Sequence, residues 1–183
     1  MSTEIEAYIA QSIPHESGHI LVGRILGIPV SKLKHEVILD ETNQIRTGNF
    51  ATAGLAPIRD PLVLRITPPD VIHAYKLYVG GGLAGNLVSG IAATEHGLAP
   101  DRYDLSFVTD ATLEEVAESS RVVIAKHMDI FEGLQAAFKD RYQKLIKNGQ
   151  LPVGTYTLLT SKQLEEICPQ NKAKFPAAFY EFE

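Results

Sequence analysis

The sequence predicts a mainly α-helical domain with one small β-hairpin, and three observations carry that expectation. Apolar residues recur at helical spacing over most of the chain. Two stretches in the first third switch to strand-like alternation, and glycine and proline punctuate the segments between. With 183 residues, 45% hydrophobic and 21% charged, the chain is expected to form one domain, 1–183, around a sizeable core. Its 17 Lys and Arg against 22 Asp and Glu leave a net charge of −5. The basic residues are scattered, so neither nucleic acid nor an anionic membrane is an expected partner.

The first helix is expected over residues 3–26. Ser12 is a plausible cap and Pro14 suits only a first turn, so a kink or fresh start is expected near 12–14. The helix then runs from His15 to Leu26, where Gly27 and Pro29 stop it. Val30–Asp40 and Gln44–Ala53, separated by Glu41-Thr42-Asn43, read as a hairpin. Residues 54–70, with Pro57, Pro61, Pro68 and Pro69, read mostly as loop. A second helix starts near Pro69-Asp70 with Thr67 as its cap and continues through a glycine-rich run to Gly90. Gly97-Leu98-Ala99-Pro100 reads as a break, followed by a short helix over Asp101–Thr109. Thr112-Leu113-Glu114-Glu115 has the form of a capping box and is expected to launch one long helix to about Lys147, with Asn148-Gly149 ending it. Thr160-Ser161-Lys162-Gln163 caps a last short helix to Ile167, and the tail after Pro169 reads as irregular.

One pattern carries chemistry. His15-Glu16-Ser17-Gly18-His19 is an H-E-x-x-H pentad opening an apolar run. Positions i and i+4 share a helix face, so His15 and His19 can present two imidazoles to one metal ion, with Glu16 beside them to handle a proton. Zinc suits this set, since it accepts nitrogen ligands in a tetrahedral shell and keeps one position open for water. Chance alone yields roughly 0.015 such pentads in a chain of this composition. Glu16 points about 100° round the helix from His15, which fits a general base and not a ligand.

Other signals are weaker. Leu77–Gly85 contains a G-x-G-x-x-G match, but a dinucleotide fold needs a second strand ending in an acid about 20 residues on. The region from Thr94 to Asp101 has no strand pattern, so the glycines read as helix-packing positions and a nucleotide site is a minor alternative. His35, His73, His96 and His127 read as solvated or core histidines. The lone Cys168 excludes an intrachain disulfide and a cysteine-rich zinc site. The acidic N-terminus lacks a basic signal region, and no apolar run reaches the ~18 residues of a membrane span. A soluble, cytoplasmic protein is the expectation.

Taken together, the pentad, the glycine-rich helix and the acidic helix resemble the protease domain of FtsH-type (AAA+) zinc metalloproteases. That family has a His-Glu-Ala-Gly-His helix followed by a short β element. A helix opening Gly-Gly-Arg-Ala-Ala-Glu-Glu follows, and then an Asn-Asp-Leu that supplies a third zinc ligand. Here Ser17 replaces the alanine, Gly85-Asn86 stands where the family has its glutamate pair, and Tyr103-Asp104-Leu105 matches the third motif, including Thr109 five residues on. No counterpart of the family's ATPase module or membrane helices is expected within these residues. The resemblance implies a zincin-like H-E-x-x-H helix packed against the glycine-rich helix and a long C-terminal helix. It implies one Zn²⁺ held by His15, His19 and Asp104, with Asp101 as the rival third ligand, and Glu16 as general base of peptide hydrolysis. The expected substrate is a peptide or unfolded protein, laid along an edge strand at Gly48, Asn49, Phe50 and Ala51. A separate ATPase partner and a homo-oligomer are further expectations. The alternative is a catalytically silent metal-binding regulatory or interaction module of the same fold.

Overall fold

The computed structural model describes residues 3–39, 45–53, 61–147 and 151–172. Its centre is a pair of helices, α1 (Thr3–Leu26) and α3 (Pro69–Val88), pressed together through glycine. A Cβ placed on Gly18 would collide with the Gly81 carbonyl, and one on Gly85 with the Pro14 carbonyl. Only hydrogen at these positions lets the two backbones touch. The G-x-G-x-x-G match thus lies mid-helix in α3, with Gly80–Gly85 buried. It forms no phosphate loop.

Of the kink or fresh start expected near residues 12–14, the fresh start is absent: α1 is continuous and carries Pro14 inside it. The helix tolerates the missing N–H because both flanks are held by packing, α3 against Pro14 and Gly18, and the core around Ile20, Leu21 and Val22. Gly27 ends α1 with φ of 84°, which lets the Ile28 N–H return to the Gly23 carbonyl at 2.8 Å. Buried Arg24 ties this end down. Its Nε donates to the Cys168 carbonyl and its Nη1 to the Val30 carbonyl, each at 2.5 Å, and it pairs with Glu165.

The hairpin forms as expected: β1 (Val30–Leu39) pairs antiparallel with β2 (Ile45–Ala53), and the turn between them lies outside the described residues. A third strand, β3 (Gly154–Leu159), pairs antiparallel with the other side of β1, giving the order β2-β1-β3. The sequence reading did not anticipate this strand. Val30, Leu33 and Val37 of β1 turn into the core, and so does His35, whose Nδ1 lies 3.0 Å from the Tyr142 hydroxyl.

Within the expected loop, Pro61–Ile66 forms a short helix, α2, while 54–60 lie outside the described residues. Thr67 does not cap α3: its hydroxyl donates to the Val63 carbonyl, and Pro68 occupies the N-cap without a side-chain bond. Helix α4 (Glu95–Ser106) begins six residues before the sequence reading placed it. The Thr94 hydroxyl accepts from Gly97 N–H, and Pro100 falls inside the helix. The Thr112 capping box forms, but the helix it launches is two helices, α5 (Leu113–Ala125) and α6 (Met128–Leu145). The buried residues keep helical phase across the break, from Ile124 to Phe131, so periodicity hides it. The partners explain it: α5 packs on α3, whereas α6 packs on α1 and β3. The Thr160 capping box launches α7 (Ser161–Ile167), and residues 169–172 are irregular, both as expected. The chain is mainly helical with a small antiparallel sheet, and no described helix is long and apolar enough to cross a membrane.

Candidate metal centre

His15 and His19 lie one turn apart on the face of α1 that meets α3 and α4. Their Nε2 atoms are 3.1 Å apart. Asp101 of α4 reaches both, with Oδ2 3.4 Å from His15 Nε2 and Oδ1 3.4 Å from His19 Nε2. Ligands ~2.0–2.1 Å from a tetrahedral ion sit about 3.3–3.4 Å from one another. The Nε2–Nε2 separation is slightly shorter than that length, and each Nε2 meets one Asp101 oxygen near it, the two histidines facing different oxygens of the carboxylate. His15, His19 and Asp101 form the one group of three potential ligands among the described residues. All three are largely enclosed, with side-chain exposures of 13%, 8% and 13%.

The donor set fits a divalent cation. His19 Nδ1 lies 2.8 Å from the Tyr78 carbonyl, which only accepts, so Nδ1 carries the proton and Nε2 presents its lone pair when the ring is neutral. His15 Nδ1 is likewise engaged away from the centre, 3.1 Å from Asn86 Oδ1. Asp101 Oδ2 is buried and, among the described residues, receives no hydrogen bond. Two inward imidazole nitrogens and an unsatisfied carboxylate oxygen thus converge where a positive charge satisfies all of them.

Protonation in the metal-free protein agrees. Burial and the neighbouring His19 hold His15 down at about 4. Burial also opposes charge on His19, but Asp101, Glu16 and the Tyr78 carbonyl outweigh it and push His19 up to about 9. A proton on His19 therefore occupies the centre at neutral pH. Glu16 is 7% exposed, and burial, opposed by His19 and reinforced by Asp101, raises its carboxyl to about 7.

The sequence expectation for the third ligand needs correction. Asp104 lies one turn beyond Asp101 on α4 and is not in the group; its charge is felt at the buried Tyr78 phenol. The packing of α4 brings the earlier position, Asp101, up to the two histidines. The rival residue is the one the structure places at the centre.

Gly82 is the contributor that sequence reasoning missed. A Cβ there would lie 2.5 Å from both His15 Cε1 and His19 Nε2. The centre is therefore built directly against the α3 backbone, and the glycine run serves the site as well as the helix contact. Its run of glycines was the available signal, but which of them faces the histidines is a matter of helix rotation. Three of the remaining histidines do not join: His35 is in the core, His73 is exposed and His127 is half-buried; the His96 side chain lies outside the described residues.

No family model matches the chain, and neither a curated protein nor a solved structure does. The site is therefore read from its own geometry. Gly48, Asn49, Phe50 and Ala51 pair with Glu36, His35, Lys34 and Leu33 of β1, and β2 stands at the edge of the described sheet.

Proposed function

We propose that this chain is a zinc-dependent metallopeptidase of the kind its sequence resembles. His15, His19 and Asp101 hold one Zn²⁺, and Glu16 is the general base. One observation carries the reading: two Nε2 atoms lie 3.1 Å apart, each has one oxygen of the Asp101 carboxylate at 3.4 Å, and Oδ2 of that carboxylate is buried and unsatisfied among the described residues. Zinc bound there supplies Lewis-acid polarisation of a peptide carbonyl and a lowered pKa for water. Glu16 adjoins His15 on α1 and is buried beside the centre; its carboxylate takes a proton from water and returns it to the leaving amide nitrogen. The Tyr78 carbonyl and Asn86 orient the two rings, and the enclosure of all three ligands limits competing water.

The outer edge of β2 at Gly48–Ala51 offers main-chain groups to an extended peptide, which suits an unfolded substrate. A separate ATPase that delivers such a chain, a homo-oligomer and a cytoplasmic setting belong to the same reading. The buried thiol of Cys168 suits a reducing compartment.

The test is metal analysis joined to a casein or peptide cleavage assay on wild type and Glu16→Gln. Equal zinc content, with cleavage at least about 100-fold slower in the variant, is expected. Equal zinc binding with no cleavage by either protein would replace the peptidase by a silent metal-binding module of the same fold.

A further inference from the structure

The two histidines of the centre are held from behind by groups of different kinds. His19 leans on a backbone carbonyl, which any sequence could supply. His15 leans on a side chain, Asn86, which is fully buried. The Asn86 amide has a second bond: its Nδ2 donates to the Gln11 carbonyl at 3.0 Å. Because a carbonyl only accepts, this bond fixes which way round the amide lies, with nitrogen toward Gln11 and oxygen toward His15. His15 Nδ1 must then donate, and the Nε2 lone pair faces the centre.

We propose that Asn86 is a positioning residue of the metal centre, locking His15 in its ligating tautomer while bridging α3 to α1 beside Pro14. The inference rests on the reading of His15, His19 and Asp101 as a metal site. Position 86 has to present one acceptor and one donor at once, 3.1 Å and 3.0 Å from their partners. An aspartate would keep the acceptor for His15 but set its second oxygen against the Gln11 carbonyl. A leucine of similar volume offers neither group. The departure from the glutamate pair of the resembled family gains a physical account as well. Gly85 has no room for a Cβ against the Pro14 carbonyl, and that contact brings Asn86 within reach of both partners. A neutral acceptor also leaves His15 a weaker ligand than a carboxylate would make it.

The experiment compares wild type, Asn86→Leu and Asn86→Asp as full chains. Zinc is titrated against a chelator, ¹⁵N NMR reads the histidine tautomers, and circular dichroism follows melting. Asn86→Leu is expected to lose about 10–100-fold in zinc affinity and to show mixed His15 tautomers. Asn86→Asp is expected to melt below wild type yet keep the Nδ1–H tautomer and recover the affinity lost in the leucine variant. A folded leucine variant that binds zinc within about twofold of wild type, tautomer unchanged, overturns the role of Asn86 and leaves the metal site standing. If the leucine variant does not fold, the aspartate variant decides, since loss of its tautomer preference overturns the role equally. Wild type that binds no zinc, or binds it equally after His15→Ala and His19→Ala, overturns the metal site itself.

Discussion

Substituting Gly82 by alanine tests the centre with a single methyl group. The added carbon would lie 2.5 Å from His15 Cε1 and His19 Nε2 and 2.7 Å from His15 Nε2. Ordinary contact begins near 3.5 Å, so the rings must retreat by about 1 Å, several times the ~0.2 Å that a metal site tolerates. Zinc affinity is expected to fall by more than the ~100-fold typical of losing an outer-shell partner. Stability has two opposing contributions. Overpacking costs about 1–3 kcal/mol, and replacing a mid-helix glycine with alanine returns about 1 kcal/mol. The displaced atoms are the ends of side chains, so the fold survives, at a net cost of about 0–2 kcal/mol. Chelator-competed zinc titration and urea unfolding of the metal-free protein read the two quantities separately. A Gly82→Ala protein that binds zinc within about threefold of wild type would show that the histidines do not converge against α3, and the site geometry would be wrong.

Three further outcomes follow from the same geometry. Asp101→Asn should lower zinc affinity at least about tenfold, while Asp104→Asn leaves it within about twofold; the same titration distinguishes them, and the opposite ranking would restore Asp104 as the ligand. Zinc binding should also depend on pH in a defined direction, because binding must expel the proton from His19, whose pKa is raised to about 9. Apparent affinity should climb up to about tenfold per pH unit between neutrality and pH 9, with proton release measured by calorimetry in buffers of different ionisation enthalpy. In the metal-free protein the sign reverses. A raised histidine contributes stability that is fully present below the unfolded value of 6.5 and is lost as pH rises through about 9. Melting temperature without metal should therefore fall over that window, and a flat profile would contradict the pairing of His19 with Asp101.

What could be read from sequence was local. The pentad fixes two imidazoles on one helix face because i and i+4 are neighbours by helix geometry alone. The hairpin registers through alternation, and the Thr112 and Thr160 capping boxes form because each needs only four consecutive residues. What needed the tertiary structure was every choice between near-equivalent neighbours. Asp101 and Asp104 stand one turn apart on the same helix, and only the packing of α4 selects the first. Gly82 is one glycine in a run, and only the rotation of α3 against α1 turns it to the histidines. The break at Lys126-His127 leaves no trace in the apolar phase, because it arises from α5 and α6 covering different partners. Asn86, read from sequence as an unexplained departure, acquired a role once its two bonds were visible. Sequence periodicity specifies which face of an element is buried; the crossing and rotation of packed helices decide which residue on that face reaches the site.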